Sequence, residues 1–152
     1  MINFISGFFV LLFMRKKILT PEECEKLIPH WPELEERKIK KLLRMSTKKT
    51  SFGNGKNVMS PVGIVIMEDG YILNGKHRAV IGAWRKYNLE AYVVDGEHDI
   101  YYHLPHKTYG EVGVEGLVEA LDKKDFFVNF CKNDGVRSVH DLIKKYSPIL
   151  YN

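Results

Sequence analysis

The chain has 152 residues, enough for one domain with a sizeable core. Its 45% apolar and 28% charged content argues against intrinsic disorder, and its two distant cysteines, Cys24 and Cys131, make neither a disulfide scaffold nor a CxxC zinc site. A net charge of +4 and an isoelectric point near 9.0 suit a polyanionic partner such as nucleotide or nucleic acid without demanding one.

Met1 to Met14 is almost wholly apolar, and Arg15-Lys16-Lys17 follows at once. As a helix the segment would span about 21 Å, against about 30 Å of bilayer hydrocarbon. The charge follows the apolar run, the reverse of a secretory signal. Three readings stay open: an apolar arm that packs on the domain or a partner, a short membrane anchor, or a true start at Met14. The expected compartment is the cytoplasm, where free thiols persist. The expected organisation is an apolar segment over 1–14, an α/β domain over 15–110, and a helical extension over 111–152 packed on the same domain.

Thr20-Pro21-Glu22-Glu23 carries the marks of a helix start: Thr20 as cap, Pro21 at the first helical position, and Glu23 completing a capping box. Pro32 is expected to open a second helix through about Met45, with Ile39, Leu42 and Leu43 on its apolar face. Ser46 to Val58 has no apolar period and reads as a long mobile loop, whose Lys48, Lys49 and Lys56 are candidate nucleic-acid contacts. Pro61 precedes the apolar run Val62 to Ile66, a buried strand. Glu68-Asp69-Gly70 signals a hairpin turn before a second strand over Tyr71 to Leu73. Another helix starts near His77, with Val80, Ala83, Trp84 and Tyr87 on one face and Asn88 as its left-handed cap. Ala91 to Val94 is the third strand. Apolar clusters then predict helices over 116–122, 125–132 and 138–146, the last with Ser138 in a capping box.

The chemistry gathers at Asn74-Gly75-Lys76-His77-Arg78. A strand ends there, a glycine turns the chain, and a helix begins among cationic side chains. Helix N-termini expose unpaired N–H groups and partial positive charge, so anions bind there. Gly75 allows close backbone approach, and Lys76 and Arg78 can neutralise phosphate. The pattern predicts an anion site; a plain strand-to-helix turn with solvent-facing basic residues is the alternative. Just past the third strand, Glu97, His98 and Asp99, with His103 and His106, are candidate metal ligands; a polar loop that binds nothing is the other reading. The 125–146 helices could form a helix-turn-helix, but a packed helical pair fits their few basic residues better.

The parts Pro61 to Ile66, Glu68-Asp69-Gly70, Gly75-Lys76-His77-Arg78, Ala79 to Tyr87 and Ala91 to Val94 resemble, in that order, the core of the ParB/sulfiredoxin superfamily. The likeness covers about residues 30–97. It implies an α/β fold, a small mixed sheet flanked by helices, and a nucleoside triphosphate pocket with Asn74, Gly75, Lys76, His77 and Arg78 at the phosphates. It also implies ATP or another NTP with Mg2+ as cofactors. Sulfiredoxin places its catalytic cysteine directly before His-Arg; here that residue is Lys76, which removes that chemistry. Free serine kinases carry an Asp where this chain has Asn74. ParB proteins carry Gly-x-Arg-Arg and a later helical motif that this chain lacks. The expectation is an NTP-dependent phosphotransferase or NTPase, with Glu68, Asp69 and His77 as candidate catalytic groups. The wider pool of carboxylates for a magnesium ion adds Asp95, Glu97 and Asp99. The alternative is a ParB-like DNA-binding or nuclease-type protein.

Overall fold

The apolar run around Ile64 does become a buried strand, and the sheet is built around it. The computed structural model describes residues 15–46, 51–52 and 56–151, and the side chains of residues 15–45 and 63–151. The strands are β1 (Lys16–Leu19), β2 (Ser51–Phe52), β3 (Lys56–Met67), β4 (Ile72–Asn74) and β5 (Asn88–Val94). The helices are α1 (Pro21–Glu25), α2 (Glu36–Ser46), α3 (Lys76–Arg85), α4 (Glu97–Tyr102), α5 (Gly113–Asp122), α6 (Lys124–Asn133), α7 (Val139–Lys145) and α8 (Ser147–Leu150). β3 lies parallel to β5, and β1 runs antiparallel to the far side of β5. On its other edge β3 takes β2 along its first residues and β4 along its last, both antiparallel. The result is a mixed sheet with helices, an α/β fold as expected.

Period two explains why these strands are apolar throughout. Ile64 and Ile66 of β3, Leu89, Ala91 and Val93 of β5, and Ile72 of β4 face one layer, with α1, α2, α3 and α7. Val65, Tyr92, Val94, Tyr71 and Leu73 face the other, against α4 and α5. A strand covered on both faces has no polar side to show. Burying one such Ile or Leu contributes about 1.5–3 kcal/mol. The C-terminal helices help close both layers: Leu117 and Ala120 of α5 on one, and Cys131, Val136, Val139, Leu142 and Leu150 on the other. Cys24 and Cys131 are buried as small apolar side chains, and burial pushes their thiols up to about 12 and about 11.

The Thr20 capping box forms in both directions, with Glu23 N–H donating to Thr20 Oγ1 at 3.2 Å and Thr20 N–H to Glu23 Oε1 at 3.1 Å. The Glu68-Asp69-Gly70 turn also forms, with Gly70 N–H donating to Met67 O at 2.9 Å and Asp69 Oδ1 accepting from Tyr71 N–H at 3.0 Å. Other expectations are corrected. Pro32 opens no helix: residues 30–35 are irregular and α2 starts at Glu36. Within the expected 46–58 loop, Ser51 and Phe52 pair with Asn57 and Lys56. Lys86 (φ 61), not Asn88, is the left-handed cap of α3, and Asn88 already starts β5. Glu97, His98 and Asp99 belong to helix α4 rather than a loop. Ser138 makes no side-chain cap; Asp141 Oδ2 instead accepts from Arg137 N–H at 2.8 Å. Residues 1–14, for which three readings were given, lie outside the described residues. No helix among the described residues is long and apolar enough to cross a membrane.

Candidate functional site

Gly75 is the hinge between β4 and α3. Its φ of 106° is closed to most L-residues, and a β-carbon there would sit 2.4 Å from Ile64 Cγ2 and 2.8 Å from Ile64 Cβ. The backbone is therefore pressed onto the central strand, and α3 starts directly over it.

The side chains beside Gly75 diverge. Asn74 Nδ2 donates to Thr108 O at 2.8 Å, tying β4 to the short 3-10 turn His106–Thr108. Arg78 Nη1 donates to Gly63 O at 2.9 Å. Gly63 sits beside the register shift in the β3–β5 ladder, where a β-carbon would meet Glu90 O at 2.8 Å. The irregular stretch leaves that carbonyl to a side-chain donor, and Arg78 supplies it. Arg78 is thus a structural contact as well as a cation, whereas the motif alone suggests a solvent-facing one.

His77 Nε2 accepts from Glu35 N–H at 2.9 Å. Glu35 is the residue before α2, and its carbonyl accepts the first helical bond, from Ile39 N–H at 3.0 Å. A capping box would place Glu or Gln three positions on, but Lys38 stands there, so His77 of another helix accepts the hydrogen bond instead. An accepting Nε2 puts the ring proton on Nδ1 and keeps the imidazole neutral. Burial, with Lys76 and Lys38 nearby, lowers its pKa to about 3. With that nitrogen occupied, the ring, a candidate catalytic group from sequence, holds no lone pair free to act as a base.

Lys76 differs from its neighbours. Its ammonium has no hydrogen-bond or ion-pair partner among the described residues, yet it is partly buried. Desolvation lowers its pKa to about 8; Lys38 also lowers it, while Cys131, Glu35 and Glu33 act against this. His30 lies close enough to feel the same ammonium. Burial first and Lys76 second bring His30 down to about 4, while its Nδ1–H donates to Ile72 O at 2.9 Å. The carboxylates at the turn are therefore Glu33 and Glu35, with Lys38 bridging Glu35 at 3.5 Å and Glu111 at 3.6 Å. Sequence reading missed all three acids, because they lie outside the motif, on the approach to α2 and past the 3-10 turns.

The expected carboxylates sit elsewhere. Glu68 pairs with Arg15, and Asp69 with Lys124, at the far end of β4. Tyr71 and the three residues of β4 separate Asp69 and Gly70 from Gly75, roughly 13 Å of extended chain. Asp99 spends both oxygens locally, accepting from Asp95 N–H at 2.7 Å and from His103 Nδ1 at 2.9 Å. Glu97 faces Asp122, whose charge raises the Glu97 pKa, and His98 packs on Tyr102 and His103. No group of three or more His, Cys, Asp or Glu side chains among the described residues could hold a metal ion. The Glu97–His98–Asp99 cluster does not fit a metal, and no resident Mg2+ site is found among the described residues. Lys48, Lys49 and the side chain of Lys56 lie outside the described residues. A surface pocket among Arg15–Lys17, Met67, Glu68 and Val93 takes nothing from the Gly75 turn.

No protein-family model, curated protein or solved structure matches the chain.

Proposed function

We propose that the chain binds the phosphates of a nucleoside triphosphate against the start of α3, as an NTP-dependent phosphotransferase or NTPase of ParB/sulfiredoxin type. The observation that carries this reading is Lys76. A lysine stripped of part of its water and given no acidic partner of its own is costly to keep charged. A phosphate beside it would supply the missing countercharge, with the helix start and the Gly75 turn offering close backbone approach. Arg78, two residues on, adds a further positive charge while remaining bonded to Gly63 O. Among the acids, Glu35 is the group best set to act on a phosphoryl acceptor, since Asn74 cannot serve as a base and Asp69 lies at the other end of β4. The nucleic-acid reading rests on Lys48, Lys49 and Lys56, and nothing specific at the turn favours it.

The test is titration calorimetry with ATP, CTP and GTP, with and without Mg2+, on the full chain and on Lys76→Met. The substitution keeps length and burial while removing charge. Loss of affinity by about tenfold or more is expected, since a charge-assisted contact is worth about 1.5–3 kcal/mol. Affinity should also fall as pH rises through about 8, where free Lys76 loses its proton. Equal affinity in the variant, or no binding of any nucleotide, would remove the proposal. Phosphate release that persists in Glu35→Gln would remove Glu35 from the mechanism.

A further inference from the structure

Three large aromatic side chains meet at the surface of α6. Trp31 and Phe130 stack face to face, their planes 8° apart and their centroids 5.0 Å apart. Phe126, one turn earlier on α6, joins the cluster at 6.4 Å and 26° from Phe130. Phe127 stands edge-on to Trp31 at 6.5 Å and to Phe126 at 5.6 Å. Trp31, Phe130 and Phe126 remain 38%, 42% and 63% exposed, although burying each would be favourable. Rings of about 150–250 Å² each, roughly half exposed, leave about 300 Å² of apolar surface open to water, well below the roughly 800 Å² per partner that a stable dimer buries. The same helix and its lead-in carry exposed charges of both signs, Lys123, Asp125 and Lys132, which give no pull toward an anionic membrane surface.

The first described residue is linked to this cluster by contacts. Arg15 pairs with Glu68, the adjacent Asp69 pairs with Lys124, and Phe126 stands two residues past Lys124. Just before Arg15 comes Met1 to Met14, in which eleven of fourteen residues are Met, Ile, Phe, Val or Leu and no side chain is charged. We infer that the Trp31–Phe126–Phe130 cluster is the docking surface for this apolar segment of the same chain. Fourteen residues reach about 21 Å as a helix and up to about 46 Å extended, which covers a path of two ion pairs and three peptide steps. The sizes match as well: about two phenylalanine-sized side chains cover 300 Å² or so, and the segment holds Phe4, Phe8, Phe9 and Phe13. Contact removes apolar surface from water on both partners. The tether makes the association intramolecular, so a patch too small to hold a separate molecule suffices for this one.

Trp31 reports on its own cover. The chain has two tryptophans, and Trp84→Phe leaves Trp31 as the sole one. In that full-length background, changing Phe8→Ser and Phe9→Ser together should raise acrylamide quenching of Trp31 about twofold or more, shift its emission to the red and lower Tm by about 5 °C or more. Phe126→Ser, at the most exposed of the three rings and so least able to disturb folding, should also lower Tm. It should add little once Phe8 and Phe9 are changed, because the contact is already lost. A spin label on Ser6→Cys should broaden the amide signals of Phe126 and Phe130, while the buried Cys24 and Cys131 stay unlabelled. Equal quenching with and without the Phe8 and Phe9 changes, together with strictly additive Tm losses, would overturn the inference. Quenching that rises on dilution, with a dimer seen by sedimentation, would overturn it in favour of a second copy. Protection of Trp31 only on adding phosphatidylcholine vesicles would overturn it in favour of a membrane surface.

Discussion

Gly75→Ala should be among the most damaging single-methyl substitutions in this protein. The added carbon would meet Ile64 Cγ2 at 2.4 Å, Cβ at 2.8 Å and Cα at 3.3 Å, where unstrained carbons sit at about 3.5–4.0 Å. Ile64 cannot give way: it is fully buried on β3, between β5 and β4. Overpacking of this kind costs about 1–3 kcal/mol. The φ of 106° adds strain of about 1–3 kcal/mol for any residue with a β-carbon. Together these give about 2–6 kcal/mol, a large share of the 5–15 kcal/mol typical of a domain. Urea denaturation followed by circular dichroism measures it, and a double-mutant cycle with Ile64→Ala isolates the steric part. Ile64→Ala alone should cost about 2–5 kcal/mol. In the double variant the 2.4 Å clash is gone, so the combined loss should fall short of the sum by about 1 kcal/mol or more. A Gly75→Ala cost under about 1 kcal/mol, or strict additivity, would refute the claim that the turn is pressed onto Ile64.

Arg78→Ala should destabilise as well as weaken anion binding, by about 1–3 kcal/mol, because Gly63 O loses the guanidinium donor; an unchanged melting temperature would show that the contact does not matter. Stability should decline as pH falls from about 6.5 toward 4, since His77 and His30 are neutral when folded, at about 3 and about 4, and take up protons when unfolded. Each can add up to about 1.4 kcal/mol per pH unit in that window. His77→Gln, which keeps an acceptor for Glu35 N–H but cannot titrate, should flatten the profile, and an identical slope would refute the assignment. Tyr71→Phe should cost about 1 kcal/mol by chemical denaturation, because the fully buried hydroxyl donates to Ala120 O at 2.7 Å and couples α5 to the sheet.

The fold was largely legible because its cues are local. The runs at Val62 to Ile66 and Ala91 to Val94, the Glu68-Asp69-Gly70 turn and the Thr20–Glu23 box each state a backbone preference within a few residues, and each appears near its expected place. Element ends were less legible. β5 extends back to Asn88 because the ladder with β3 continues there, and α2 starts four residues past Pro32 because its cap comes from a distant helix. The irregular stretch before α2 is likewise held from afar, with Lys145 Nζ donating to Pro32 O and Leu34 N–H to Tyr146 Oη, both at 2.9 Å.

The candidate site divides along the same line. Sequence alone determined that a glycine turn opens a helix among basic residues, since the left-handed turn and the helix start are properties of neighbouring residues. Tertiary structure alone decided what each side chain does there. Asn74 bonds a carbonyl 34 residues away, His77 an amide 42 residues away, and Arg78 a carbonyl 15 residues away. It also put Glu33 and Glu35, and not the expected carboxylates, within the field of Lys76. The physical reason is that a polar side chain pairs with whichever backbone group the assembled fold leaves unsatisfied. Those groups are fixed by bulges, helix ends and strand register, none of which is encoded within the motif. Lys76 is left without such a partner, and that is visible only once its neighbours have been spent.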